Sequence, residues 1–371
     1  MSRLKNARIL VTGGAGFIGS ALVWALNVRG VSEIIVCDAL DESEKWRNLA
    51  ALRFKEYISA DDVLPCISSG SEPLKEVTHV FHLGACSSTT ETDSAYLMRN
   101  NYEFTKRLAE WAETIGARFV YASSAATYGA LEAELSEALD LYSLRPLNMY
   151  AYSKHLFDLF AWRTGMLDRI TGVKYFNIFG PNEYHKGSMR SLVQKAFEDI
   201  CRNGKVALYK SYRNDYADGL QRRDFLYVKD AVEMTLHLAE TESCGLFNIG
   251  SGVANTWIDL VTPIFEALQI APTIEFIEMP ESLRAKYQYY TCADIGRLRS
   301  TGYDLPIPPL RDAVFDYVKA YLIPGRNLDP ALDLAIAYAS RQVGTDRNLR
   351  QSARAGRSKT EEDLQGSRDS R

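Results

Sequence analysis

Ile9-Leu10-Val11-Thr12-Gly13-Gly14-Ala15-Gly16-Phe17-Ile18-Gly19 decides how this chain folds. Residues 8–12 form a short, largely apolar run of strand length, and from Phe17 to Leu26 apolar residues recur at helical spacing. Gly13, Gly16 and Gly19 lie at the junction. Without side chains the backbone turns tightly and approaches a pyrophosphate, while the helix N-terminus supplies partial positive charge. Glycine-rich turns without a ligand share this spacing, so the loop needs support from elsewhere. A second apolar run, Ile34 to Cys37, ends at Asp38, about 20 residues on, where an acid accepts hydrogen bonds from an adenosine ribose. By itself Asp38 favours NAD. Lys45 and Arg47 follow closely; as partners of a 2′-phosphate they permit NADP, and as surface charge they say nothing.

Working outward, strand candidates at Thr78 to Leu83, Arg118 to Ala122 and Val173 to Asn177 alternate with helical stretches at Asn101 to Ile115 and Tyr150 to Thr164. This alternation predicts an α/β fold with a Rossmann-type, doubly wound parallel sheet covered on both faces. From about Gly180 the order loosens. Short strand candidates at Val206–Tyr209, Asp224–Val228 and Ile274–Ile277 predict a smaller, partly discontinuous α/β substrate lobe. The expected division is 1–176 for dinucleotide binding, with a return segment near 224–249, then 177–326 mainly for substrate, then an extension at 327–371. Pro330 to Ser340 suits one short amphipathic helix. Residues 341–371 carry eight basic against five acidic residues and almost no large apolar side chains, and read as disordered.

Composition excludes several classes. With 371 residues and a net charge of -4, the chain offers no case for non-specific nucleic-acid binding. It has no apolar stretch near 18 residues for a membrane span, and its first residues lack the apolar core of a signal peptide. Six cysteines are scattered with no Cys-x-x-Cys, which fits a reduced, cytoplasmic setting. The five histidines lack metal-ligand spacing, so no metal is expected, and His79 and His82 read as core residues.

Tyr150 and Lys154 stand four residues apart in a helical stretch, on one face. A cation there predicts a phenol pKa lowered from about 10, suited to proton exchange with a substrate hydroxyl while hydride moves to a nicotinamide. Upstream, Tyr121-Ala122-Ser123-Ser124-Ala125-Ala126-Thr127-Tyr128-Gly129 puts hydroxyls at the carboxyl end of a strand, where open α/β sheets bind ligands. Ser124 is a candidate for bonding the reacting oxygen; serines cap turns as well.

The loop, the serine turn and the Tyr-x-x-x-Lys helix together resemble the extended short-chain dehydrogenase/reductase superfamily. Three further stretches, Gly84-Ala85-Cys86-Ser87-Ser88-Thr89-Thr90-Glu91, the serine turn and His185-Lys186-Gly187-Ser188-Met189, resemble the ADP-L-glycero-D-manno-heptose 6-epimerases within it. The resemblance runs from about Arg8 to Ile323. It implies epimerisation at C6″ of a nucleotide-linked heptose destined for lipopolysaccharide core. It implies Phe17, Ile18, Asp38 and Lys45 beside the adenosine half of a tightly bound NADP, with NAD also permitted. Leu83, Gly84, Ala85, Cys86, Ser87, Asn100 and Ile178 are expected along the rest of the groove, and Lys154 at the nicotinamide ribose. Asn177, Ser188, Lys195, Arg223 and Tyr287 correspond to substrate-contacting positions, and Lys186 to a second acid/base. A homo-oligomer is also implied. Departures include Leu83 in place of a glutamate, Ala60 near an expected lysine, and Lys195 in place of a histidine.

A transient ketone must be reduced on either face, so two proton-transfer groups are expected, Tyr150 and Lys186, the latter with a pKa depressed by burial near Lys154 or Arg223. Rival readings are a hexose 4-epimerase and a non-catalytic dinucleotide sensor. A dehydratase lacks its acids, because Ala125 and Ala126 follow Ser124.

Overall fold

The computed structural model describes residues 3–133, 135–284 and 287–335. In chain order the strands are β1 (Ile9–Thr12), β2 (Ile34–Asp38), β3 (Glu56–Ser59), β4 (His79–His82), β5 (Arg118–Ser124), β6 (Thr171–Tyr175), β7 (Asn177–Phe179), β8 (Val206–Tyr209), β9 (Arg222–Tyr227), β10 (Gly245–Ile249), β11 (Ala254–Thr256) and β12 (Ile274–Ile277). Seven of them form one sheet in the order β10-β6-β5-β4-β1-β2-β3. Every neighbouring pair is parallel. The doubly wound parallel sheet is therefore present.

The chain builds outward from β1 to β3, then returns to lay β4 against the other side of β1. That reversal makes the carboxyl ends of β1 and β4 the switch point, where such sheets bind ligands. Both faces are dry. Ile9 and Val11 on β1 join a core with Ala21 and Leu22 of α1 (Phe17–Val28). Leu10, between them, faces the other core. The helices are, after α1, α2 (Val63–Ser69), α3 (Ser94–Leu97), α4 (Phe104–Thr114), α5 (Met149–Arg163), α6 (Leu192–Asn203), α7 (Val228–Glu240), α8 (Trp257–Leu268), α9 (Glu281–Arg284), α10 (Gly296–Ser300) and α11 (Leu310–Asp316). Leu108 and Ala112 of α4 and Phe157 and Ala161 of α5 cover the Leu10 face, while Val232 and Leu236 of α7 cover the Ile9 face. A half-exposed strand would alternate polar and apolar residues; these read as continuous apolar runs because neither side meets water.

β7 starts two residues after β6 ends, and carries the chain into a second, three-stranded sheet, β11-β9-β7, while β8, between β7 and β9 in sequence, pairs with β12. The Val206–Tyr209 and Ile274–Ile277 expectations match observed strands, and Asp224–Val228 overlaps β9. β3 was not expected: Glu56-Tyr57-Ile58-Ser59 is a sheet edge with one buried apolar side chain, so it gives no apolar run. The helical stretch at Asn101 opens as a wider, π-type turn, Met98–Glu103, before α4.

Contacts divide the chain after Leu328. In the second unit, 330–335 is helical, and the Asp329 carboxylate accepts from the Ala331 and Leu332 amides at 2.9 and 3.2 Å. The rest of the helix expected to Ser340, and the disordered reading of 341–371, lie outside the described residues. Among the described residues no helix is long and apolar enough to cross a membrane, and no cluster of three metal-binding side chains occurs.

Candidate active site

The floor of the nucleotide groove is backbone against backbone. Gly13 has φ +68°, and a Cβ there would lie 2.6 Å from the Gly84 main chain. One on Gly19 would meet the Gly13 carbonyl at 2.0 Å. No other residue type fits either position, so the loops after β1 and β4 meet without side chains between them. That cradle fits a dinucleotide pyrophosphate at the N-terminus of α1, whose N-cap is Gly16. Asp38, ending β2, accepts from the Ala15 and Gly16 amides through Oδ2 at 2.9 and 3.2 Å. Its Oδ1 meets the Lys45 ammonium at 3.2 Å, and Lys45 also donates to the Ala39 carbonyl at 2.7 Å. The acid thus organises the glycine loop, and Lys45 offsets its charge.

From this floor opens a cavity of about 590 Å³. Of the candidate residues, Phe17, Ile18, Leu83, Ala85, Ser87, Ser124, Tyr150, Lys154, Asn177, Ile178, Lys186 and Lys195 line it. Others stand behind or beside it. Cys86 is held from both backbone atoms by the buried side chain of Asn101, at 2.9 and 3.0 Å, which also reaches Ser153 on α5. Asn100, its neighbour, is not among the lining residues; the polar contact of this turn falls one position on. Ser188 is exposed, and its carbonyl accepts from Lys195 at 3.5 Å. Arg223 packs over the rings of Tyr287 and Trp257, at 5.2 and 5.8 Å, and donates to the Gln288 carbonyl. Trp257 and Gln288 line the cavity, so Arg223 and Tyr287 form the wall behind them.

Tyr150 and Lys154 occupy the first two turns of α5, which Asn148 caps by accepting from the Ala151 amide at 2.8 Å. Ser124 ends β5, accepts from the Ala126 amide at 3.1 Å and lines the same cavity as Tyr150. Burial lowers the Lys154 pKa to about 8, against an opposing pull from Asp158 one turn below. The expected lowering of the Tyr150 pKa by Lys154 is corrected here: burial raises it, and Ser124, not Lys154, opposes the rise. Crowding by protein around the phenol sets the direction.

Lys186 projects from a 3-10 turn, Tyr184–Met189, over the Phe17 ring at 5.1 Å. Its pKa is lowered as expected, but by burial first and Lys195 next, with Glu183 opposing; neither Lys154 nor Arg223 is the cause. The glutamate was not recognised as functional from the sequence, nor were Asp158 and Lys174. Those two form an ion pair at 2.6 Å with both side chains at most 1% exposed. Asp158 also accepts from Tyr121 and Ser123, each at 2.8 Å, and Lys174 donates to Thr127 at 2.6 Å. The network ties the serine turn to the helix bearing Tyr150.

A glycine-floored groove at the switch point, running into one cavity with a serine, a tyrosine and a lysine, defines the short-chain dehydrogenase/reductase class. Residues 9–250 match the model of the NAD dependent epimerase/dehydratase family, and the chain belongs to that family. It is similar to the ADP-L-glycero-D-manno-heptose-6-epimerase of Nitratidesulfovibrio vulgaris (strain Hildenborough), at 49% identity over 84% of this chain and 97% of that protein. Among solved structures, the Helicobacter pylori ADP-L-glycero-D-manno-heptose-6-epimerase superposes with a TM-score of 0.72 at 26% identity, covering 85% of this chain and 96% of that one. The Thermus thermophilus UDP-glucose 4-epimerase, solved with NAD, gives 0.66 at 25% identity, covering 85% and 100%.

Proposed function

We propose that this epimerase interconverts ADP-D-glycero-D-manno-heptose and ADP-L-glycero-D-manno-heptose by oxidation at C6″ and re-reduction on the opposite face, supplying heptose for lipopolysaccharide core. The observation that carries the reading is the 49% identity along nearly the whole of a 6-epimerase, with Tyr150 and Lys186 lining one cavity. The cavity lining also contains four basic side chains, Lys154, Lys186, Arg190 and Lys195, and no carboxylate. That suits a substrate carrying a diphosphate. The buried Arg223, behind the wall, adds a further positive charge.

A bound nicotinamide supplies the acceptor and donor of hydride. Tyr150, beside Ser124 in the cavity lining, exchanges the proton of the substrate hydroxyl on one side of the reaction. Lys186, with its lowered pKa, does so for the other epimer. Lys154 holds the nicotinamide ribose, and Ser124 bonds the reacting oxygen. Gly13, Gly16, Phe17, Ile18 and Gly19 hold the adenosine and pyrophosphate portion. The cofactor reading is NADP, tightly bound, with NAD also accepted: Lys45 against Asp38 Oδ1 supplies the cation that a 2′-phosphate needs beside an acid. Dinucleotide released on denaturation and separated by chromatography tests that choice, and mass photometry tests the homo-oligomer. The activity itself is tested by incubating purified protein with ADP-D-glycero-D-manno-heptose, without added cofactor, and following C6″ by NMR. A mixture of both epimers is expected. No conversion, with NAD or NADP added, overturns the substrate and turns the search to UDP-, GDP- and dTDP-sugars.

A further inference from the structure

We propose that Glu183 is a positioning residue for Lys186: its buried carboxylate fixes both ends of the turn that carries the lysine. The inference deepens the assignment of Lys186 as the second acid/base and rests on it for its catalytic meaning.

Glu183 is 0% exposed, at the end of the connection from β7. Its Oε1 accepts from the Gly180 amide at 3.3 Å, from Ser191 Oγ at 2.6 Å and from the Tyr317 hydroxyl at 3.1 Å, while Oε2 accepts from the Ser191 amide. Two backbone amides and two hydroxyls thus converge on the carboxylate and favour its ionised form, against burial, which raises its pKa above the usual carboxylate value. The same contacts fix both ends of the lysine turn. Before it, the Lys186 amide donates to the Glu183 carbonyl at 3.0 Å. After it, Ser191 is at once the N-cap of α6 and the double donor to Glu183. Gly187, with φ +53°, kinks the turn between these anchors, so the course of Lys186 depends on them.

Tyr184 and Tyr317 interact with Glu183, with Arg326 and Glu198 acting on Tyr184 and Arg190 on Tyr317, and His185 and Lys195 interact with Lys186. Lys195 and burial both disfavour the ammonium, and Glu183 favours it. Removing the carboxylate charge frees the amine, so the proton affinity of Lys186 falls.

Competitive labelling with trace acetic anhydride across pH, read by peptide mass spectrometry on the full-length protein, gives the pKa of Lys186 without any substrate. In Glu183→Gln the midpoint should drop by about one pH unit, a tenfold loss of proton affinity, and in Glu183→Asp it should return towards wild type. Equal midpoints in wild type and Glu183→Gln overturn the proposal. Should the glutamine variant fail to fold, Glu183→Asp decides by position. A carboxylate one methylene shorter should cut kcat about tenfold with KM and dinucleotide content unchanged, and wild-type kcat there overturns it. The titration stands whatever the substrate proves to be. Full epimerisation by Lys186→Met would instead sink the role of the lysine and leave its coupling to Glu183 to be read from the labelling.

Discussion

Two supports hold the proposed proton-transfer groups against one cavity, and they are built differently. Tyr150 and Lys154 ride on a 15-residue helix, with Asp158 behind them neutralised by a second buried lysine. Lys186 rides on a six-residue turn, with Glu183 behind it held by hydroxyls and amides. On the helix, spacing alone puts the functional groups in line, and the buried ion pair fixes the helix to the serine turn. On the turn, spacing does little, and the carboxylate itself sets the path of the chain. One side is rigid by periodicity, the other by convergent hydrogen bonds.

The largest effect expected is on the chemistry. Tyr150→Phe should reduce epimerisation about a thousandfold and Lys186→Met about a hundredfold, both within the usual range for general acid–base groups. The double variant should lose far less than the product, because the two act on one reaction. Effects that simply multiply, measured by NMR of the C6″ epimers, would mean that the two sides work independently.

Next, Lys174→Met leaves Asp158 buried without its cation and should cost about 3–5 kcal/mol in denaturant unfolding. A change under about 1 kcal/mol, the scale of an exposed pair, would remove the contrast between a charge-paired and a hydrogen-bonded carboxylate.

The pH dependence separates the sides further. Lys154 loses its proton near pH 8 in the folded protein, against 10.5 ordinarily. Between those values the unfolded chain still holds a proton that the folded one has released, so this group's contribution to stability grows as pH rises through the window. Activity that needs the ammonium should decline above about pH 8, and Lys154→Arg should move that decline upward, because the guanidinium stays charged. An unchanged alkaline limb would assign it to another group.

The smallest effects concern the caps. Asn148→Ala should cost about 1 kcal/mol, the ordinary value of an N-cap, and Ser191→Ala up to about 2, because Ser191 also donates to Glu183. Equal costs in thermal unfolding would mean that the Glu183 contact adds nothing.

Much of the fold could be read along the chain. Ile9–Thr12, Ile34–Asp38 and the glycines between them carry their signal in adjacent residues, because two-sided burial demands unbroken apolar runs. β3 could not be read, since an edge strand with a single buried residue carries no such demand. Tyr150 and Lys154 were visible at helical spacing, yet the direction of the Tyr150 shift was not. That direction depends on how much protein crowds the phenol, which no local pattern records. The supporting carboxylates were invisible for a related reason. Asp158 finds Tyr121 and Ser123 across 37 and 35 residues, and Glu183 finds Tyr317 across 134.

The four basic residues lining the cavity have a bearing on kinetics as well as on recognition. The chain as a whole carries -4, so at long range it repels an anionic sugar nucleotide. Inside the cleft the lining carries Lys154, Lys186 and Lys195, with Arg190 paired to Glu198 and no carboxylate, and low-dielectric walls strengthen the pull of its lysines. At physiological salt the Debye length is about 8 Å, so the outer repulsion is largely screened while the inner attraction is screened much less. Added salt therefore acts on two opposing fields at once, relieving the first before it weakens the second. Substrate capture should pass through a maximum with ionic strength, where a simply cationic protein would show a steady fall.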